Sequence, residues 1–205
     1  YVFDIAEGGK DAPGLVNTSP TGYYIKKHVY LGWNKMDHTV STAQACIMYW
    51  RWTQMLLSFA EAANQVVGPL DSSTYGMSAK EAVEMIRNRP LEDGTLGVGV
   101  NGVPYLEQMA VAGAVEFDKL IKREWRVETC FEGLRFFNQR RWAKDVSEIN
   151  KDIHRVKITR KNGRTTYEKE VLESRTYPSL WLPIPYMEIR KCPLMVQNEG
   201  WESWK

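Results

Sequence analysis

Arg51-Trp-Thr-Gln-Met-Leu-Leu-Ser-Phe-Ala-Glu-Ala-Ala-Asn64 contains no proline or glycine, and the chain reaches Gly68-Pro69 a few residues later. Strong helix formers bounded by such a stop predict a helix. Upstream, Ser41 or Thr42 offers an N-cap, so the helix is expected over 43–67. Met48, Trp52, Met55, Phe59, Ala62 and Val66 recur at spacings of four and three and form one apolar stripe. Leu56, Ala60, Ala63 and Val67 widen it, which predicts a helix buried on more than one face. Ser78 is placed to cap a shorter helix whose inward side is Ala79, Ala82, Val83 and Ile86. Alanines on both helices allow close approach. The pair has the character of one tetratricopeptide-type repeat, a unit that needs neighbours to bury its faces. Those neighbours are expected in a segment preceding residue 1, since the chain opens without an initiator Met or a leader pattern.

Working outward, residues 1–22 are rich in Gly, Pro, Ser, Thr and Asn and read as loop, and 22–30 as a short strand. A Gly-rich loop over 90–104 leads to a short helix over 105–112 that ends at Gly113. A second long helical region follows over 115–143, with Phe117, Leu120, Ile121, Glu124, Val127, Phe131 and Leu134 inward and Gly133 as a kink. Val156 and Ile158 alternate with polar residues before Asn162-Gly163, a type I′ turn signal. Thr165, Tyr167 and Lys169 continue one face beyond it. The end of the chain, 177–201, is stiffened by Pro183 and Pro185 around Ile184 and reads as an extended strap, with 182–189 docked on the helical core. The fold class is mainly α: tetratricopeptide-like helical pairs, a small β-hairpin and an extended C-terminal segment.

Hydrophobic residues make up 43% and charged residues 25% of 205, ordinary for a globular chain. A formal net charge of +2 gives no electrostatic footprint for nucleic acid. No stretch approaches the roughly 20 apolar residues that span a bilayer. Cys46, Cys130 and Cys192 are scattered, lack metal or redox spacing, and read as buried free thiols. No cofactor motif is present.

The most chemistry-bearing stretch is Arg123-Glu-Trp-Arg-Val-Glu-Thr-Cys-Phe-Glu-Gly-Leu-Arg135. Glu124, Glu128 and Glu132 recur every four residues and line one helical face. Paired acids would suit glycoside hydrolysis, but that chemistry places them across a cleft rather than along one helix. Like charges at this spacing repel and need cations. Arg123, Arg126, Arg135, Arg140 and Arg141 are the nearest, which predicts a structural ion-pair network. Arg51, between two tryptophans, is expected to pair with Glu61 or a later glutamate. His28, His38 and His154 stand alone, with no triad or metal spacing. The loop and strand aromatics Tyr23, Tyr24, Tyr30, Trp33, Tyr75 and Trp204 are the ones expected at the surface. Packing is the commoner role for any one of them.

Four blocks together resemble one family. Thr21-Gly-Tyr-Tyr-Ile-Lys-Lys27 is similar to its first motif, and the stretch 51–64 to its helix motif. Residues 121–142 are similar to its glutamate–arginine motif, with Trp125, Thr129 and Asn138 as departures. Leu182-Pro-Ile-Pro-Tyr-Met-Glu-Ile189 and Gln197-Asn-Glu-Gly-Trp201 resemble its closing pair. The family is SusD/RagB, nutrient-binding lipoproteins of Bacteroidetes. The resemblance implies a C-terminal domain over residues 1–205 of a longer protein. It implies a cell-surface position at the outer membrane, with a lipid anchor on a cysteine outside the chain. It further implies a non-catalytic role, lidding a SusC-like TonB-dependent transporter and capturing glycans, or in some members peptides. A fragment serving mainly to contact the transporter is the interaction-module alternative, and a glycoside hydrolase the least favoured. Ligand contacts in the family vary, so Tyr30, Trp33 and Tyr75 are candidates on exposure alone. The resemblance assigns the charged residues Arg123, Glu124, Arg126, Glu128, Glu132, Arg135 and Arg141 to the scaffold.

Overall fold

A computed structural model describes residues 4–25, 27, 49–89, 102–192 and 194–203. The chain forms two compact units, one comprising Gln44–Phe136, the other Tyr1–Ala43 with Phe137–Lys205.

The first unit is helical. Helix α1 spans Trp52–Val66, α2 Ala79–Arg87, α3 Gly102–Val111 and α4 Ala114–Glu128. Helix α1 packs on both α2 and α4, and α3 packs on both α2 and α4. The antiparallel α1–α2 pair expected from the sequence is present, and its seam is built from small residues. Ala60, Ala79 and Ala82 are each fully buried, with Leu57 and Val83 beside them. Ser78 caps α2 through a full capping box: its hydroxyl accepts from the Glu81 amide, and the Glu81 carboxylate accepts from the Ser78 amide.

Helix α1 differs from expectation in two ways. It starts at Trp52 rather than residue 43, because Arg51 is held in an extended conformation (φ −143°, ψ 158°); residues 43–48 lie outside the described residues. Its buried side also carries Thr53, Gln54, Leu56, Leu57, Ala60, Ala63 and Asn64. The bulky stripe faces out instead, with Trp52 67%, Met55 53% and Val66 69% exposed. Close approach to the alanines of α2 selects the side with the smaller residues. The two buried amides are affordable there because each finds a partner: Asn64 Nδ2 donates to the Ala114 carbonyl (2.9 Å) and Gln54 Nε2 to Glu132 Oε2 (3.3 Å).

The second long helical region is two helices. Helix α4 ends at Glu128, where Thr129 Oγ1 donates to the Trp125 carbonyl, and α5 runs from Leu134 to Trp142. Between them Phe131 (φ 61°) and Gly133 (φ 79°) take left-handed conformations, which turns the expected kink into a break. Phe117, Leu120, Ile121 and Glu124 are buried as expected. Val127 and Phe131 are instead 57% and 62% exposed, and Trp125 takes the next inward position.

The second unit is built around a two-stranded antiparallel ribbon, β1 Asp152–Lys161 and β2 Arg164–Ser174. Lys161 pairs with Arg164, so Asn162 (φ 51°) and Gly163 (φ 73°) form the two-residue type I′ turn. The N-terminal loop lies along β1: the Glu7 amide donates to the Ile158 carbonyl (2.7 Å), and the Val156 amide to the Thr21 carbonyl (3.1 Å). That contact covers an edge that a lone ribbon would leave open. Residues 22–25 and 27 are not strand, and the rest of the expected strand at 22–30 lies outside the described residues.

The C-terminal strap is held by side-chain amides. Gln197 binds both backbone groups of Ile184, accepting from its N–H (2.7 Å) and donating to its carbonyl (3.1 Å). Asn198 Nδ2 donates to the Leu182 carbonyl (2.7 Å), and Trp201 Nε1 to the Trp181 carbonyl (2.8 Å). Asn150 brackets Tyr177 in the same manner, and the Arg140 guanidinium lies 4.5 Å from the Tyr177 ring centre. Beside this clasp Trp181 is 73% exposed. Within the strap, Tyr186–Lys191 form a short helix, α6, rather than extended chain. Cys130 is half-buried and Cys192 exposed, not buried as expected.

Replacing Ser78 with Ala removes the α2 cap and is expected to lower stability by about 1 kcal/mol in urea unfolding. An unchanged midpoint would show that the box contributes nothing to the pair.

Candidate functional site

The three glutamates spaced by four are each engaged by an arginine from another element. Arg87, the last residue of α2, binds Glu124. Arg89 binds Glu128 through two hydrogen bonds (2.7 and 3.1 Å). Arg51 binds Glu132 bidentately, Nε to Oε2 at 3.0 Å and Nη2 to Oε1 at 2.9 Å. Arg51 also donates to the Glu128 carbonyl and to Thr53 Oγ1 (3.1 Å). The later-glutamate partner anticipated for Arg51 is thus Glu132.

Among the described residues the arginines seen on these glutamates are Arg51, Arg87 and Arg89. Among the described residues Arg123, Arg126 and Arg135 make no ion pair with these glutamates. The reason is helical geometry: Arg123 is adjacent to Glu124 and Arg126 two residues beyond it, and neighbours at those spacings do not face each other. Arg135 lies beyond the break, where burial first and the nearby Arg126 charge second hold its pKa below the usual value. Arg141 stacks on Trp142 (5.3 Å) and Arg140 on Tyr177. Three carboxylates held in this way tie α1, α2 and α4 together and are not set across a cleft.

The hairpin carries the open chemistry. Cross-strand partners share a face, so the register sorts the ribbon into two sides. One side holds Arg155, Lys157, Glu168 and Glu170. Arg155 binds Glu170 through Nε and Nη2, both at 2.8 Å, with Lys157 at 3.4 Å. The Arg155 hydrogen bond, supported by Lys157 and opposed by slight desolvation, holds the Glu170 carboxyl below the usual carboxylate range. The other side holds His154, Val156, Ile158, Tyr167, Lys169 and Val171.

Among the described residues, two hollows on this unit bear on the site. One of about 430 Å³ runs between the N-terminal loop and β1, lined by Ile5, Glu7, Ala12, Pro13, Val156 and Ile158 among others. The second, about 280 Å³, is bordered by Tyr23, His154, Val156, Tyr167 and Lys169, with Arg155 and Glu168 at the same strand positions. Tyr23 is 67% and Tyr167 71% exposed. Of the paired tyrosines, Tyr24 is clipped to the loop by its hydroxyl, which donates to the Asp11 carbonyl (3.3 Å), whereas Tyr23 projects at the hollow. Gly22 makes this possible. Its φ is +76°, and a Cβ there would sit 3.1 Å from both Val156 Cγ1 and the Val156 carbonyl oxygen.

Of the aromatics singled out from sequence, Tyr75 is 52% exposed in the turn between α1 and α2 and borders neither hollow. Tyr30 and Trp33 lie outside the described residues. Tyr167 and His154 were not singled out as ligand contacts. The signal available for Tyr167 was its place with Lys169 on one strand face; nothing in the sequence brought Tyr23 to that face.

Glu132→Ala leaves Arg51 without its bidentate partner and is expected to destabilise the chain by about 3 kcal/mol in denaturant unfolding. Arg123→Ala should stay within about 0.5 kcal/mol, as for a surface change. Equal losses would place Arg123 back in the network. Gly22→Ala should lower stability by roughly 1–3 kcal/mol, through a left-handed residue crowded against Val156. An unchanged midpoint would show that the Val156 contact tolerates a side chain at residue 22.

No curated protein and no solved structure matches the chain. Comparison with protein-family models matches the SusD family over residues 3–201, nearly the whole length. The matched span includes both the helical unit with its arginine–glutamate ties and the hairpin unit with its clasped strap. The chain belongs to the SusD family of nutrient-binding outer-membrane proteins.

Proposed function

We propose that the chain captures oligosaccharide or polysaccharide at the cell surface, without cleaving it, for import through a partner TonB-dependent transporter. The observation that carries this reading is the open hollow on the hairpin with Tyr23 and Tyr167 exposed at its border. Flat aromatic faces, one on the ribbon and one on the loop fastened to it, suit the apolar faces of sugar rings, since they offer contact area with few rotatable bonds. Membership of a family of non-catalytic binding proteins supports the absence of turnover. So does the engagement of Glu124, Glu128 and Glu132 by arginines, which leaves that trio unsuited to general acid–base work. Attachment at the outer membrane through a lipid on a cysteine outside the chain fits the same reading. No helix among the described residues is long and apolar enough to cross a membrane.

Calorimetric titration of the chain against a panel of plant and host oligosaccharides, and of random peptides of similar mass, tests this reading. Saturable glycan binding with no reducing ends released over hours is expected. Peptide binding without glycan binding, or steady release of reducing sugar, would remove the reading.

A further inference from the structure

We propose that the hollow between Tyr23 and Tyr167 is a subsite for an acidic sugar ring, a hexuronate, whose carboxylate is held by Lys169 beside His154. The inference rests on the glycan-capture reading and adds a ligand charge and a place for it.

Three observations lead there. The first is that the hollow is constructed. Tyr23 reaches it only because Gly22 takes a left-handed conformation against Val156, where any side chain would crowd. Tyr167 stands on the opposite border, directly across from Ile158 on the ribbon. Both rings are mostly exposed, and neither hydroxyl has a hydrogen-bond partner among the described residues.

The second is the sorting of charge. On the far side of the ribbon beside the hollow, Arg155 and Lys157 both bind Glu170, and Glu168 stands opposite Lys157. Strand alternation places the side chains of Arg155 and Glu168 on that far side, although both residues border the hollow. The near side has Lys169 and His154 as its titratable groups at the hollow, and no carboxylate among the described residues shares that stretch of the face. Their register makes them diagonal neighbours, about 7–8 Å apart by backbone geometry. An ammonium and an imidazole beside two aromatic rings match a ring that carries its own carboxylate. A neutral sugar would use the rings and leave the ammonium without a counter-charge.

The third bears on peptides. An extended peptide commonly binds a ribbon by adding to its edge through main-chain hydrogen bonds. On β1 beside the hollow, the Val156 amide and the Ile158 carbonyl already serve the N-terminal loop. On that edge a ligand meets side chains, which suits a glycan.

Isothermal titration of the full chain with oligogalacturonate, its methyl ester and an oligoglutamate peptide of equal length tests the proposal. Oligogalacturonate should bind about fivefold tighter than the ester at low salt, a preference that strong salt removes. Lys169→Gln should abolish that preference and leave the ester affinity unchanged. Tyr23→Ala and Tyr167→Ala should each weaken both saccharides about tenfold. Thermal melts of all three variants should match the parent, since the changed side chains are exposed. Equal binding of acid and ester, a preference that survives Lys169→Gln, or tighter binding of the peptide would overturn the proposal. If neutral glycans bind and neither tyrosine variant weakens them, the subsite is wrong and glycan capture stands. If no glycan binds, capture itself is overturned.

Discussion

Arg51 is the constraint on which the helical unit depends. It stands extended at the threshold of α1, and its guanidinium meets the Glu132 carboxylate, the Glu128 carbonyl and the Thr53 hydroxyl together. A planar fork with that many acceptors accepts only one geometry. It therefore sets where α1 begins and which of its sides turns toward α4. It also gives a purpose to the break after Glu128, since the left-handed residues Phe131 and Gly133 follow Glu132 so closely. Buried ion pairs of this kind contribute more to specifying one arrangement than to net stability. The apolar seam of alanines and leucines supplies the rest.

The hairpin unit works on a different principle. Few of its described apolar residues are buried (Ala6, Ala12 and Ile149), so hydrogen bonding carries much of its organisation. The N-terminal loop is fastened to β1 by two backbone bonds and by the Asp4–Arg160 pair. The strap is fastened by the amides of Gln197 and Asn198 to the residues 182–184. Two stretches of sequence separated by a short helix thus close on each other. Gly200 is needed for that closure, because a Cβ there would lie 2.9 Å from the Pro178 carbonyl oxygen. A framework of backbone and amide contacts leaves side chains of the ribbon face exposed, Tyr167 and Lys169 among them, with Tyr23 of the N-terminal loop beside them.

A binding protein gains from such a division. Rigid aromatic groups lose little entropy on binding, and Arg155 and Lys157, engaged by Glu170, are not free to compete for a ligand. The glutamate–arginine ties belong to the other unit and act there as structure. These carboxylates are held by guanidinium groups from other segments, in keeping with a family that binds rather than cleaves.

Local physics made much of this legible in advance. The Ser78–Glu81 cap, the alanine seam, the Asn162-Gly163 turn and the stop at Gly68-Pro69 all follow from interactions within a few residues, and four motif blocks carried the family. What failed was what periodicity cannot weigh. Helix α1 has two apolar sides, and only the alanines of α2 and the reach of Arg51 decide which one is buried. The counter-ions of Glu124, Glu128 and Glu132 were sought along the same helix, but helical spacing turns Arg123 and Arg126 away, and the partners seen among the described residues lie 37 to 81 positions distant. The site shows the same limit. Alternation alone put Tyr167 and Lys169 on one face; that Tyr23 joins them depends on a glycine packed against Val156, a contact between segments more than a hundred residues apart, which only the tertiary structure brings together.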